Sequence, residues 1–382
     1  MTSSFTTALP SGTLEIEVKQ AAFPLDTLCG FASRKSNRRG FVFVSKVLGK
    51  HWPVAPSRFD ACCEELAKKI VVTGEPLLIV GMAETATGLG HGVYESLLRL
   101  HDPQALIASL YIHGSRYRIK DAPAITFEET HSHATTHWLH APENQHEKAL
   151  LSKARSLVIV DDEQTTGRTA LALTQSIKKW CHNLQSVTIA CLTDFVSDID
   201  RHSLMNALGI ECNFVSLLTG SYRFLPDTSF KHDNRQQNSG TLPAVELPSN
   251  FGRRGISGEN GYENGIFPQK SIAMSDRVLV LGTGEFQYPA LCWARLLEKQ
   301  GRYVRFQSTT RSPLMVSGDL NTALEFADPY GEDIPNYLYN VSPASYDRIF
   351  ILHELREIPD RCSLAQQLNA EVISVKTRPV IQ

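Results

Sequence analysis

Residues 157–169 read LVIVDDEQTTGRT: four branched apolar side chains, two adjacent carboxylates, then a small polar turn containing glycine. Leu157 to Val160 have the length and side-chain type of a buried parallel strand, and the residues TALALTQSIKKW that follow carry apolar side chains at helical spacing. The stretch between them is therefore expected to be a strand-to-helix turn. In an open α/β sheet such turns lie at the carboxyl ends of the strands, where ligands bind, and the helix start leaves backbone N–H groups without intrahelical partners. An anion is expected there.

The common nucleotide fingerprints do not describe this turn. It has neither the GxGxxG of dinucleotide-binding folds nor the GxxxxGK[ST] of a P-loop. A sugar phosphate suits it better. The carboxylates of Asp161 and Asp162 can accept from vicinal ribose hydroxyls, while Thr165, Thr166, Gly167, Arg168 and Thr169 offer N–H groups and hydroxyls to a terminal phosphate. Gly167 permits close backbone approach.

Outward from this stretch the sequence has 382 residues, enough for two domains at roughly 150 residues each. A net charge of −2 and 42% hydrophobic residues are ordinary for a globular protein and argue against a dedicated polyanion binder, so nucleic acid is not an expected partner. No apolar run reaches the roughly 20 residues of a membrane span, and the N-terminus lacks a basic stretch leading into an apolar one. A soluble, cytoplasmic protein with no membrane partner is expected. The eight cysteines contain no CxxC and no regular spacing, which points to buried free thiols.

Strand, loop and helix signals alternate along the chain. FVFV (41–44) is a short strand, EPLLIVGMAETATGLGHGVYESLLRL (75–100) is a strand, small-residue loop and helix, and ALIASLYIHG (105–114) is a further strand. A polar, His-rich excursion follows before the quoted stretch, and SVTIACLTDF and ECNFVSLLTGSY supply two more strands. Such alternation predicts a parallel, doubly wound sheet. Residues 226–270, rich in Asn, Gly, Ser and charge, read as a linker, with apolar residues inside it able to dock. A second α/β unit begins at RVLVLGTGEF (277–286) and continues through YVRFQSTTRSP, YDRIFILHEL and AEVISV.

The thirteen residues 157–169 resemble, in full register, the phosphoribosyl pyrophosphate (PRPP) motif of type I phosphoribosyltransferases. Glu163 and Gln164 are more polar than that family's usual residues, and Arg168 replaces a small one. The resemblance implies PRPP as a substrate, Mg²⁺ as cofactor and a second loop for the diphosphate, for which Gly81, Met82, Ala83 and Glu84 are the candidates. It also implies a catalytic loop, in which Arg116 is the leading candidate to meet charge on the departing pyrophosphate, with Arg118 and Lys120 as readily solvated surface cations. HSHATTHWLH (131–140) lacks a recognised metal-ligand spacing such as HExxH, so zinc is the weaker reading and the active-site rim the preferred one. Glu128, Glu129 and His133 are then candidates to orient or deprotonate a nitrogen nucleophile, or else structural polar groups.

More specific words recur: SKVLGKHWPV, SRY followed by FEETHSHATTH, LGTGEF, TTRSP and IPNYLYNVSP. Together these are similar to two-domain phosphoribosyltransferase-like proteins of bacterial tellurite-resistance and stress gene clusters, whose C-terminal TRSP domain is named for the residues found here at 310–313. The resemblance implies an α/β chain: a type I phosphoribosyltransferase fold (parallel sheet, helices on both faces, a hood) over 18–225, a linker over 226–270 and a smaller α/β TRSP domain over 271–382. It implies transfer of 5-phosphoribosyl to an unidentified base-like acceptor, in making a nucleoside-like metabolite. Gly282, Thr283, Gly284 and Glu285, with Thr309, Thr310 and Arg311, follow strands and are expected to meet at one sheet edge as a second small-molecule site. The alternative is a non-catalytic PRPP-binding or nucleotide-binding regulator, but no helix-turn-helix or basic face is evident, and catalysis is favoured. A homodimer is compatible with either.

Overall fold

The computed structural model describes residues 3–34, 40–100, 108–128, 136–230, 246–247, 250–258, 267, 270–331 and 334–375. The first half runs β1 (Ser3–Leu9), β2 (Gly12–Ala21), α1 (Leu25–Leu28), β3 (Cys29–Ser33), β4 (Phe41–Ser45), α2 (Pro56–Lys68), β5 (Leu77–Gly81), α3 (Thr87–Leu100), β6 (Ser109–His113), β7 (Ala124–Glu128), β8 (Thr136–His140), α4 (Gln145–Lys153), β9 (Ser156–Gln164), α5 (Arg168–Ile177), β10 (Ser186–Asp194), α6 (Asp198–Leu208) and β11 (Glu211–Pro226). The second runs β12 (Arg277–Gly282), α7 (Tyr288–Lys299), β13 (Tyr303–Ser308), β14 (Ala323–Phe326), β15 (Asn336–Tyr339), β16 (Arg348–His353), α8 (Leu364–Leu368) and β17 (Glu371–Ser374).

A seven-stranded sheet has the order β1-β2-β11-β10-β9-β5-β6. Its five strands from β6 to β11 are parallel, as the apolar runs predict, and each of Leu77 to Val80 and Leu157 to Val160 is at most 2% exposed. The sheet also reaches further back than residue 18: β2 pairs antiparallel with β11, and β1 with β2, making it mixed. The β3–β4 hairpin stands apart as a small hood, with Phe43 stacked on Phe195 after β10 at 4.6 Å.

The second sheet is parallel, in the order β13-β12-β16-β17. It does not hang from a tether. Val54 and Phe306 exchange backbone hydrogen bonds at 3.0 and 2.9 Å, and the Ser308 N–H donates to Gly49 O at 2.7 Å, so the 48–54 segment lies along the free edge of β13. In the hood, Phe31 N–H donates to Asp319 Oδ2 at 2.9 Å. One hydrophobic cluster contains Val80 and Val160 from the first half together with Val280, Phe286 and Phe350 from the second. Part of the expected linker docks as well: Ile256 bridges Tyr111 on β6, and Phe251 and Arg253 are buried at 1% and 0% exposed.

Candidate functional site

Register brings the two expected loops together. Gly81 at the end of β5 pairs with Val160 on β9, so the Gly81–Glu84 loop and the Asp161–Asp162 pair leave the same sheet edge one strand apart, roughly 4.8 Å. The Met82 N–H donates to Val160 O at 2.9 Å, and the Gly114 N–H to Gly81 O at 2.8 Å, fixing the loop by its backbone. The Ala83–Glu84 peptide is cis. Asp161 is itself oriented, accepting from the Asp162 N–H and from Gln164 Nε2, each at 2.9 Å. Asp161, Asp162, Glu163, Thr165, Thr166 and Thr169 are half-buried, and Arg168 is exposed. Gly167 has φ 70° immediately before α5, the left-handed conformation that glycine adopts at least cost.

Between the hood and the carboxyl ends of β9 and β10 lies a shallow recess. Leu28, Phe43 and Leu192 give it apolar walls, while Asp162, Glu163 and Thr193 supply acceptors.

The loops expected to form a second site do converge, and they do so against the first half. Gly282 pairs with Ser308 across β12 and β13, and the Gly284 N–H donates to Thr309 Oγ1 at 2.8 Å. Thr283, Glu285, Thr309, Thr310 and Arg311 are all buried. Lys50, 1% exposed, reaches in from the first half to Gly284 O at 2.7 Å, Thr309 O at 3.0 Å and Glu84 Oε1 at 3.1 Å. Glu84 also faces Arg311 Nε at 3.6 Å. Burial alone raises the Glu84 carboxyl, but Lys50 and Arg311 outweigh it and hold the group below its ordinary value.

Glu285 is the other crossing point. Its carboxylate accepts from Ser115 Oγ at 2.8 Å and from the Arg116 N–H at 2.5 Å, and pairs with Arg253 Nε at 3.1 Å. Burial opposes ionisation of Glu285, yet Arg253, His113 and these donors bring it down to about 2. Arg253 turns its other edge to both oxygens of Glu354, at 2.7 and 2.8 Å, and Tyr330 OH donates to Glu354 at 3.1 Å. Lys50, Arg253, Tyr330 and Glu354 carried no role in the sequence reading. Lys50 stood in a basic stretch and Arg253 in a glycine-rich segment, and no local pattern marks partners so distant in the chain.

The excursion after β6 is a hairpin, β7–β8, and its base is packed. His140 is buried and Nε2 accepts from the Ile119 N–H at 3.1 Å, while His137 stacks on Phe127 at 4.7 Å. Arg116 is half-buried beside the Glu285 junction; Arg118 lies over the Trp138 ring and Lys120 pairs with exposed Glu246 at 3.0 Å. Glu128 is exposed and accepts from Thr136 Oγ1 at 2.9 Å across the hairpin. Glu129, His131 and His133 lie outside the described residues. Among the described residues, no group of three or more His, Cys, Asp or Glu side chains forms a metal site, and no helix is long and apolar enough to cross a membrane.

Similarity to known proteins follows the same division. Solved structures that align include adenine phosphoribosyltransferase from Rhodothermus marinus, at 15% identity over 50% of this chain and 95% of that one, TM-score 0.33. The Leishmania donovani adenine enzyme aligns at 14% identity over 51% and 78% of the two chains, TM-score 0.35. Orotate phosphoribosyltransferase from Mycobacterium tuberculosis aligns at 13% over 50% and 89%, TM-score 0.29. No curated protein matches. The family model described as phosphoribosyl transferase matches residues 28–221, slightly more than half of the chain, and that of the TRSP domain, C-terminal to it, matches 267–369. With the β9 motif and the β5 loop on one edge of its sheet, the chain belongs to the phosphoribosyl transferase family and carries the TRSP domain behind it.

Proposed function

We propose that this chain is an enzyme that transfers the 5-phosphoribosyl group of PRPP to a ring nitrogen of a base-like acceptor, with release of pyrophosphate. The observation that carries this reading is the pairing of Gly81 with Val160, which sets the diphosphate loop beside the diacid. Asp161 and Asp162 accept from the ribose hydroxyls, and the Thr165–Thr169 turn at the start of α5 takes the 5-phosphate through its N–H groups and hydroxyls. The acceptor approaches from the hood side, where Leu28, Phe43 and Leu192 line a recess beside Asp162 and Glu163. In the reaction the bond from the anomeric carbon to the diphosphate oxygen breaks and its electron pair stays with that oxygen. The acceptor nitrogen supplies the pair for the new C–N bond, and its proton passes to the carboxylate of Glu163 beside the recess. Arg116, held near the loop through Glu285, meets charge on the leaving group.

The donor set fits Mg²⁺ arriving with the substrate: Asp161 and Asp162 are hard oxygen ligands next to the diphosphate loop. Mg²⁺ supplies positive charge to the diphosphate oxygens when bound. Calorimetry with PRPP and Mg²⁺ tests the assignment. The Asp161→Asn/Asp162→Asn variant is expected to bind PRPP about 1–3 kcal/mol more weakly than the wild type, and equal affinities would reject the site. Pyrophosphate release measured across purines, pyrimidines and smaller heterocycles identifies the acceptor. PRPP binding with no turnover on any of them would favour a regulatory protein.

A further inference from the structure

Glu84 sets a conflict inside the loop assigned to the diphosphate, because it brings a carboxylate to the place where a polyanion binds. Among the described residues nothing accepts from the backbone N–H groups of Ala83, Glu84 and Thr85. Successive N–H groups in a turn cradle an anion, provided that the carboxylate between them is neutralised and held aside. Lys50 does both. Its ammonium reaches Glu84 Oε1 at 3.1 Å, Gly284 O at 2.7 Å and Thr309 O at 3.0 Å, with Ser308 Oγ at 3.3 Å, which occupies every N–H it has. Apart from Glu84, these acceptors all belong to the second half. So do the groups that pin the lysine's backbone: the Ser308 N–H donates to Gly49 O at 2.7 Å, and Gln307 Nε2 donates to Lys50 O at 3.0 Å.

Each member of the pair keeps the other charged. Burial pulls the Lys50 ammonium below its ordinary value and Glu84 leads the groups that oppose this; burial raises the Glu84 carboxyl and Lys50 leads the groups that hold it down. Around them Lys50, Arg253 and Arg311 stand against Glu84, Glu285 and Glu354, so loss of Lys50 leaves a carboxylate short of its partner beside the loop. We propose that Lys50 is a positioning residue for the diphosphate of PRPP: anchored on the second half, it draws the Glu84 side chain aside, so that the N–H groups of the loop meet the diphosphate and the pyrophosphate that leaves. The inference rests on the phosphoribosyl reading of the first half. Lys50 touches neither substrate nor leaving group and moves no proton. Its effect passes through Glu84, and through it the second half takes part in binding a substrate held by the first.

The test uses the full chain as wild type, Lys50→Met, Lys50→Met/Glu84→Gln, Glu84→Asp and Asp161→Asn/Asp162→Asn, with calorimetry for three probes in the presence of Mg²⁺: pyrophosphate, PRPP and ribose 5-phosphate. Lys50→Met is expected to weaken pyrophosphate and PRPP roughly tenfold or more, while ribose 5-phosphate, which lacks the diphosphate, changes less than about twofold. Adding Glu84→Gln removes the stranded charge and is expected to bring pyrophosphate back to within about threefold of wild type. Undiminished pyrophosphate and PRPP binding by Lys50→Met, equal weakening of all three probes, or no recovery in the double variant would overturn the proposal in favour of a purely structural lysine. If Lys50→Met fails to fold, Glu84→Asp decides, since its carboxylate stays charged but is one methylene too short to reach Lys50: a selective loss of pyrophosphate and PRPP supports the proposal, and affinities equal to wild type overturn it. A wild type that binds neither PRPP nor pyrophosphate sinks the phosphoribosyl reading itself. Binding that is lost in the double asparagine variant but unchanged in Lys50→Met sinks only the role of Lys50.

Discussion

At Gly167 two constraints act on one atom. Its φ is 70°, and a β-carbon there would stand 2.4 Å from Leu204 Cδ1 on α6. Any side chain would therefore strain the backbone and require the Leu204 methyl to shift. Gly167→Ala is expected to destabilise the protein by more than about 1 kcal/mol. Leu204→Ala in the same chain removes the clash and not the strain, so the double variant should be more stable than the sum of the single effects. Denaturant midpoints of the four proteins check this, and strict additivity would remove Leu204 as the source. The glycine, the diacid and the threonines were legible in the sequence because they sit within thirteen consecutive residues. Lys50 was not, since its acceptors lie 234 and 259 positions further on.

Elements with long apolar runs announced themselves. β5, β9, β10, β12 and β16 are buried almost throughout, and continuous branched side chains are what a strand covered on both faces requires. β1 was hidden for the opposite reason: SSFTTAL is exposed over most of its length and has no apolar period to read. The segment 250–258 looked like a linker by composition, while its few apolar residues, Phe251 and Ile256, decide its place by docking on β6. The 48–54 segment likewise shows no strand pattern, having Pro53 beside Val54, yet it caps an edge. Val54→Pro removes the donor to Phe306 O and leaves that acceptor buried without its partner, at a cost of about 1–3 kcal/mol. The expected result is a lower denaturant midpoint with an unchanged slope, and an unchanged midpoint would show that the edge contact contributes nothing.

Because one hydrophobic cluster spans both halves, weakening their junction lowers the stability of the whole molecule. Glu285 makes that junction sensitive to acid. Its folded value of about 2 lies below its ordinary 4.5, so the charged form is favoured by folding: the stabilisation is present above about pH 4.5 and is lost as pH falls toward 2. Glu354, on the other side of Arg253, behaves oppositely. Burial leaves it above its ordinary value despite Arg253, so it weakens the fold as pH rises through its own raised range. The two windows fall on opposite sides of about pH 4.5, which lets one variant isolate the first. Glu285→Gln keeps the shape and removes the titration. Its stability deficit relative to the wild type is expected to be greatest near neutral pH, on the order of 3 kcal/mol, and to shrink as the pH falls below about 4.5. Urea unfolding of both proteins at a series of pH values reads the difference directly. Parallel stability curves for the two would mean that Ser115, Arg116 and Arg253 do not hold Glu285 as an anion, and the link from the second half to the Arg116 segment would then rest on packing alone.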